Sequence, residues 1–191
     1  MDVGVVTTIY PRSHCDPAGI AIHRLVEALQ GLGHRVRVVA PECGDTTTGR
    51  RPTELIPAEL RPRFAREIAY GSGIVENLRG NFLLALGLPG FIRSLAKAVR
   101  EHLADCHVID ACFTPAGIAA ARGAVAGQGL VYTGHGSDIH LILRSRAYRL
   151  WFARLLKRFG QVTVVSQSLA HTLVTSGCFE YPRVISTGIP N

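Results

Sequence analysis

Lysine is almost missing from this chain: Lys97 and Lys157 are its only two, so the formal net charge of +7 rests on arginine. The planar guanidinium fork suits phosphates and carboxylates, which favours phosphate-bearing partners, although a GC-rich genome would produce the same excess. Cysteine is scattered rather than paired. Cys15, Cys43, Cys106, Cys112 and Cys178 form no C-x-x-C unit, and the opening MDVGVVTTIY has neither a charged n-region nor a long apolar core. A disulfide framework and a zinc knuckle are therefore not expected, and the cytoplasm is the expected compartment. No run of about 18 apolar residues occurs, which leaves a soluble protein or one that lies on a membrane without crossing it. The Cys/His finger, the RNP aromatic motif and the basic region with heptads are all lacking, so nucleic acid is not an expected partner. Also lacking are G-x-G-x-x-G, G-x-x-x-x-G-K-[ST] and G-x-S-x-G. Their absence sets aside dinucleotide enzymes, P-loop NTPases and nucleophile-elbow hydrolases.

What is present is an alternation of strand and helix patterns within a length of 191 residues, enough for one sizeable core but not for a second full domain. Asp2 to Tyr10 reads as a β-branched strand. A helix follows with Ile22, Leu25, Val26, Leu29 and Leu32 at helical spacing, and Gly33 stands where a left-handed C-cap belongs. Arg35 to Ala40 is period-two and completes a βαβ crossover, so the sheet is expected to be parallel. Between Pro41 and Gly90 the pattern weakens, with room for one strand and one or two short helices. Beyond it the spacing predicts a helix from Phe91 to Leu103, a strand from His107 to Phe113 and a helix opened by Thr114 as N-cap with Pro115 at N1. A strand from Gly129 to Thr133 comes next, then a long helix from Leu141 to Phe159. A strand from Gln161 to Val165, a helix from Ser166 to Ser176 and a short strand from Arg183 to Ile185 complete the chain. This is the pattern of an α/β, Rossmann-like, doubly wound parallel sheet with its ligand at the carboxyl edge of the strands.

That rule draws attention to Val131 to His140, VYTGHGSDIH, where an apolar strand stops at a glycine-flanked histidine. His135 reads either as a group with a chemical role or as a buried, hydrogen-bonded structural histidine. His135, Asp138 and His140 could suggest a metal, but a segment leaving a strand points such side chains in different directions, and no metal is expected. Ala18-Gly19 at the first helix start can expose backbone N–H groups to a diphosphate, or Gly19 can merely ease the turn. On the Leu141–Phe159 helix, Tyr148, Trp151, Phe152, Leu155, Leu156 and Phe159 fall within an arc of roughly 140°, while Arg146, Arg149, Arg154, Lys157 and Arg158 occupy the rest. The basic side is either a solvated face or a weak contact with anionic lipid.

Taken in order, these segments resemble the N-terminal domain of retaining GT-B glycosyltransferases of family four. The resemblance rests on Pro17-Ala18-Gly19, His23, the run Gly33-His34-Arg35-Val36-Arg37-Val38, the strand His107 to Cys112 and the helix start Thr114-Pro115-Ala116-Gly117. It extends to Thr133-Gly134-His135-Gly136-Ser137-Asp138, to Val162 to Ser166, and to Val184 to Ile189. It implies the N-terminal half of a GT-B fold over residues 1–191. By the same resemblance Ala18 and Gly19 lie near the donor diphosphate and His135 is the catalytic-site histidine. His23, Gly136, Ser137 and Asp138 then line the cleft toward the acceptor.

The implied co-substrate is a nucleotide-sugar, with no cofactor or metal, and the acceptor is lipid-linked, a polysaccharide or a small molecule. Ala18, Asp110, Cys112 and Thr187 depart from the family pattern, which bears on acceptor contacts more than on the fold. A donor-binding C-terminal domain is expected to follow Pro190-Asn191 in the family, so it is expected here as a partner in cis or in trans. Two alternatives go with this reading: a non-catalytic partner or regulatory domain that keeps the fold, and an epimerase or other transferase of GT-B architecture.

Overall fold

Strands and helices alternate much as the periodicities require. A computed structural model describes residues 1–11, 16–42, 54–59, 66–69 and 74–185. Cys15, Cys43, Thr187 and Pro190-Asn191 lie outside the described residues. The elements are β1 (Asp2–Thr7), α1 (Ile20–Gly31), β2 (Arg35–Pro41), β3 (Leu55–Ala58), α2 (Arg66–Ala69), α3 (Ile74–Gly80), a 3-10 helix (Phe82–Gly87) and α4 (Leu88–His102). They continue as β4 (Val108–Cys112), α5 (Thr114–Gly123), β5 (Gly129–Gly134), α6 (Ser137–Arg144), α7 (Arg146–Leu156), β6 (Gln161–Val164), α8 (Gln167–Thr175) and β7 (Arg183–Val184).

The described strands form one seven-stranded sheet in the order β3-β2-β1-β4-β5-β6-β7, with every pair parallel. Period-two alternation sends neighbouring residues to opposite faces. Val3, Val5, Val36 and Val38 pack with Ile22 and Val26 of α1. Val6, Val39, Ile109, Ala111, Tyr132 and Val162 face the larger core built by the helices from α2 onward. Helices on both faces make the sheet doubly wound, and the order reverses between β1 and β4. At such a switch point the two outgoing connections diverge and leave a crevice at the carboxyl edge.

The ends of α1 follow from its sequence. His34 N–H donates to Leu29 O at 3.1 Å and Gly33 N–H to Gln30 O at 2.9 Å, with Gly33 at φ +83°, the paired bonds of a Schellman stop. Ser166 caps α8, its Oγ accepting from Leu169 N–H at 3.3 Å. Cys106, Cys112 and Cys178 are free and buried.

Several boundaries differ from the sequence reading. The first strand ends at Thr7 rather than Tyr10. Helix α4 starts at Leu88, three residues before the expected Phe91, because Pro89 sits in its first turn, where a missing N–H costs nothing. The apolar piece 82–86 forms the 3-10 helix, capped by Asn81 Oδ1 accepting from Leu83 N–H at 3.1 Å. Thr114 is the first residue of α5 rather than its N-cap, a place taken by Phe113.

The expected long helix from Leu141 to Phe159 is two helices. The chain extends at Ser145 (φ −143°, ψ 119°), whose Oγ accepts from Tyr148 N–H at 3.2 Å and caps α7. The break turns Phe152, Leu155 and Leu156 inward but leaves Trp151 41% exposed. No helix among the described residues is long and apolar enough to cross a membrane.

Candidate functional site

Three connections leave the carboxyl edge around the switch point, and the residues singled out in the sequence lie on two of them. Beyond β5, Gly134 leads into His135 and then Gly136, whose φ of +124° suits a residue without a side chain. Ser137 opens α6 in an exposed position, and Asp138 in its first turn is buried. The Asp138 carboxylate accepts from Gly136 N–H at 3.1 Å and from the Tyr132 hydroxyl, so it ties the loop to the strand. Tyr132 Oη lies 3.2 Å from Thr114 Oγ1, which lies 3.2 Å from Tyr148 Oη. One polar chain thus joins β5, α5, α6 and α7 beneath the loop. Burial and the Asp138 charge push the Tyr132 phenol well up, and burial takes Tyr148 up to about 12, so both remain neutral hydroxyls.

The His135 ring stacks on Phe113, centroids 4.6 Å apart at 29°. Its Nε2 is buried and has no hydrogen-bond partner among the described residues. Burial lowers its pKa, opposed by the Asp138 charge, so the imidazole is neutral at pH 7. A buried polar atom without a partner costs free energy, and sites that bind ligands are where such atoms persist.

Phe113 gave no signal in the sequence. It is the one non-glycine residue at positive φ among those described (φ 74°, ψ 155°), a region almost confined to glycine, where holding another residue costs on the order of 1–3 kcal/mol. Its N–H donates to Thr133 O at 3.2 Å, and the kink presents the ring to His135. Nothing about a phenylalanine in a strand-to-helix turn announces such a backbone.

The connection after β1 is arranged differently. Gly19, at φ +75°, presses on the chain that leaves β1: a Cβ there would stand 2.9 Å from Ile9 O and from Tyr10 Cα. Ala18 N–H is already donated to Asp16 Oδ1 at 3.0 Å. The amides of Gly19 and Ala21 have no partner among the described residues. His23 is engaged beneath α1: its Nδ1 lies 2.9 Å from Tyr10 Oη and 3.5 Å from Glu54 Oε1, its Nε2 3.6 Å from Glu27. Tyr10 Oη in turn donates to Glu54 Oε1 at 2.6 Å. His23 lies 16% exposed among these partners.

Two cavities flank this edge. One, of about 480 Å³, lies at the switch point among Ile74, Leu78, Leu88, Ile92, Ile118 and Leu141, and its wall includes Thr8, Phe113, Thr114, Ser137, Asp138, Tyr148 and Trp151. The other, of about 250 Å³, runs along the opposite sheet face, from Met1, His34 and Val108 at the amino ends of the strands past Asp110, Thr133 and Thr163 to His135. Within it Thr133 Oγ1 donates to Asp110 Oδ1 at 2.7 Å and lies 2.6 Å from Thr163 Oγ1. Burial raises Asp110 to about 6, partly offset by the Thr133 hydroxyl. The structure therefore separates His135 from Ser137 and Asp138 across the strand ends, with Phe113 between them. No group of three or more His, Cys, Asp or Glu side chains that could hold a metal occurs among the described residues, and His140 is exposed on α6.

The family described as Glycosyltransferase Family 4 matches residues 18–190. No curated protein sequence matches the chain. Among solved structures, an alpha-glucosyltransferase in complex with UDP and a 13-mer DNA containing a HMU base is 13% identical, with a TM-score of 0.50 over 97% of this chain and 41% of that one. An alpha-glucosyltransferase in complex with UDP and a 13-mer DNA containing a central A:G mismatch is 12% identical, with a TM-score of 0.44 over 87% of this chain and 37% of that one. At such identities the likeness is one of fold, and this chain spans about two fifths of the length of the 0.50 match.

Proposed function

The chain belongs to glycosyltransferase family 4, and from that premise we propose that it is the acceptor-side domain of a retaining enzyme that transfers a sugar from a nucleotide-sugar donor. Family membership is the observation that carries this reading. The arrangement at the carboxyl edge supports it: a neutral His135 Nε2 without a partner among the described residues stands beside a loop locked by Asp138.

Retaining transfer breaks the bond between the anomeric carbon and the donor phosphate, which gains charge, while the acceptor hydroxyl arrives on the same face. Neutral His135 can offer Nε2 to a hydroxyl at the reacting centre without bringing a second charge. The Gly19 and Ala21 amides at the start of α1 supply N–H dipoles of the kind that receive phosphate oxygens. Ala18 contributes shape rather than an amide, because its N–H is held by Asp16. Ser137 and Asp138 border the acceptor side, Asp138 as a positioning residue that acts through Gly136 and Tyr132. His23 holds α1 to Tyr10 and Glu54 rather than touching a ligand. The nucleotide, in this reading, is held by a donor-binding domain in cis or in trans, with no metal or cofactor required, and the enzyme works in the cytoplasm.

The test compares residues 1–191 alone with the same residues joined to, or mixed with, a family donor-binding domain, following nucleotide release from a panel of nucleotide-sugars. Turnover is expected only in the second case. Robust turnover by residues 1–191 alone would overturn the two-domain reading.

A further inference from the structure

Family membership allows lipid-linked, polymeric and small soluble acceptors, and the cavity at the switch point distinguishes among them. We infer that the acceptor is an amphiphile: a hydrocarbon chain occupies the 480 Å³ cavity, and an anionic headgroup outside its mouth meets the arginines of α6 and α7. The inference rests on the transferase reading for the word acceptor. The binding it describes does not depend on that reading.

Three observations lead to it. First, the wall is hydrocarbon on most sides, and its polar groups are largely spent on one another, since Thr114, Tyr148 and Asp138 belong to the single chain that runs through Tyr132. Ser137 and Thr8 are the remaining side-chain hydroxyls on the wall. A sugar ring or polymer needs several convergent polar groups when buried, and leaving its hydroxyls unmatched is costly.

Second, two of the helices that wall the cavity also carry large apolar side chains in water, Leu143 on α6 and Leu150 and Trp151 on α7. Trp151 belongs to both sets, lining the cavity while 41% exposed. Exposed apolar groups beside an apolar cavity suit a ligand delivered from a lipid surface.

Third, the charge is one-sided. From Ser137 to Arg158 the chain carries Arg144, Arg146, Arg149, Arg154, Lys157 and Arg158 against the single acid Asp138, which is buried. Basic side chains flanking interfacial apolar ones favour an anionic headgroup. With the chain buried among Ile118, Leu141 and their neighbours, the headgroup end of the amphiphile lies near Ser137, at the start of α6.

Trp151 is the only tryptophan and a built-in reporter. Residues 1–191 are titrated with dodecyl phosphate bearing a terminal bromine, a short-range quencher of indole fluorescence, below the concentration at which the probe forms micelles. The expected result is saturable quenching at one probe per chain, reversed by plain dodecyl phosphate and unaffected by inorganic phosphate or glucose 1-phosphate. Filling the cavity by Ile118→Phe, or by Leu141→Phe should the first variant not fold, should weaken binding by about tenfold or more at unchanged melting temperature. Charge reversal at Arg144 and Arg146 should weaken the phosphate probe but not a neutral bromododecyl glucoside.

Quenching that never saturates, butyl phosphate binding as tightly as dodecyl phosphate, or wild-type affinity in a folded filled variant would each overturn the inference. So would binding to anionic vesicles at full strength in both filled variants, which would mark a surface contact only. A two-domain enzyme that glycosylates only water-soluble acceptors would overturn it while leaving the transferase reading intact.

Discussion

The connections after β1 and after β5 leave the same sheet edge, and both carry a glycine at positive φ and a histidine within a few residues. They differ in what remains unsatisfied. After β1, Ala18 N–H goes to Asp16, both His23 nitrogens lie near hydroxyl or carboxylate oxygens, and Gly19 is required by the chain passing beneath it. After β5, the loop is just as firmly held by Asp138, yet His135 Nε2 is buried without a partner among the described residues, and its ring rests on a strained Phe113. Residue type alone does not separate a clamp from a site. The balance of made and unmade hydrogen bonds does, because a fold tolerates an orphaned buried group and a strained backbone where a ligand uses them.

The largest effect that would break this contrast is on turnover. In a two-domain enzyme containing this chain, His135→Ala should lower kcat/KM by about 100-fold, the scale expected when a positioned polar group at the reacting centre is lost. The melting temperature should scarcely move, since the buried Nε2 makes no hydrogen bond that the described residues would miss. Near-wild-type turnover at an unchanged melting temperature would reduce the β5 loop to a structural element like its counterpart.

Gly19→Ala probes the opposite member of the pair. A methyl group 2.9 Å from Ile9 O, on a residue at φ +75°, should cost about 1–3 kcal/mol, which lowers the melting temperature by roughly 2–10 °C for a domain of this size. Thermal unfolding followed by circular dichroism reads it directly. Unchanged stability with lost turnover would make the β1 loop the more loaded of the two.

How much of this was legible in the sequence follows from where the information lies. Strands β1, β2, β4, β5 and β6 were readable as short apolar runs bounded by turn residues, and the doubly wound parallel sheet followed from the helices between them. Helix starts were less so: Pro89 looks like a breaker until the first turn is known to need no N–H there. The split at Ser145 was hidden by an apolar arc that continues across it, although a serine three residues before Tyr148 is an ordinary N-cap. His135 and Asp138 stood out because glycines and polar residues end an apolar strand, whereas Phe113 was silent. The 480 Å³ cavity was also silent, since its wall is assembled from α2 to α7 and from the ends of β1 and β4, and no local pattern records which distant side chains leave a gap.

The smallest effect concerns the strand between the two cavities. Asp110 is half-buried, and desolvation raises it to about 6, from an ordinary carboxyl value of 3.8. An acid whose folded pKa is raised binds more protons in the native state than in the unfolded state, so its protonated form favours folding below pH 3.8. That advantage is lost as pH rises from 3.8 to 6. His135 runs the other way, because its lowered pKa makes the native state resist protonation and costs stability as pH falls below about 6.5. Asp110→Asn keeps an oxygen that can accept from Thr133 and removes the buried charge. It should raise the melting temperature by roughly 2–4 °C at pH 8, about 1 kcal/mol after allowance for the exposed part of the side chain, and by much less at pH 4. Equal shifts at the two pH values would mean that Asp110 is not desolvated, and the half of the sheet that carries the β5 loop would then bear no more electrostatic cost than the half that carries the β1 loop.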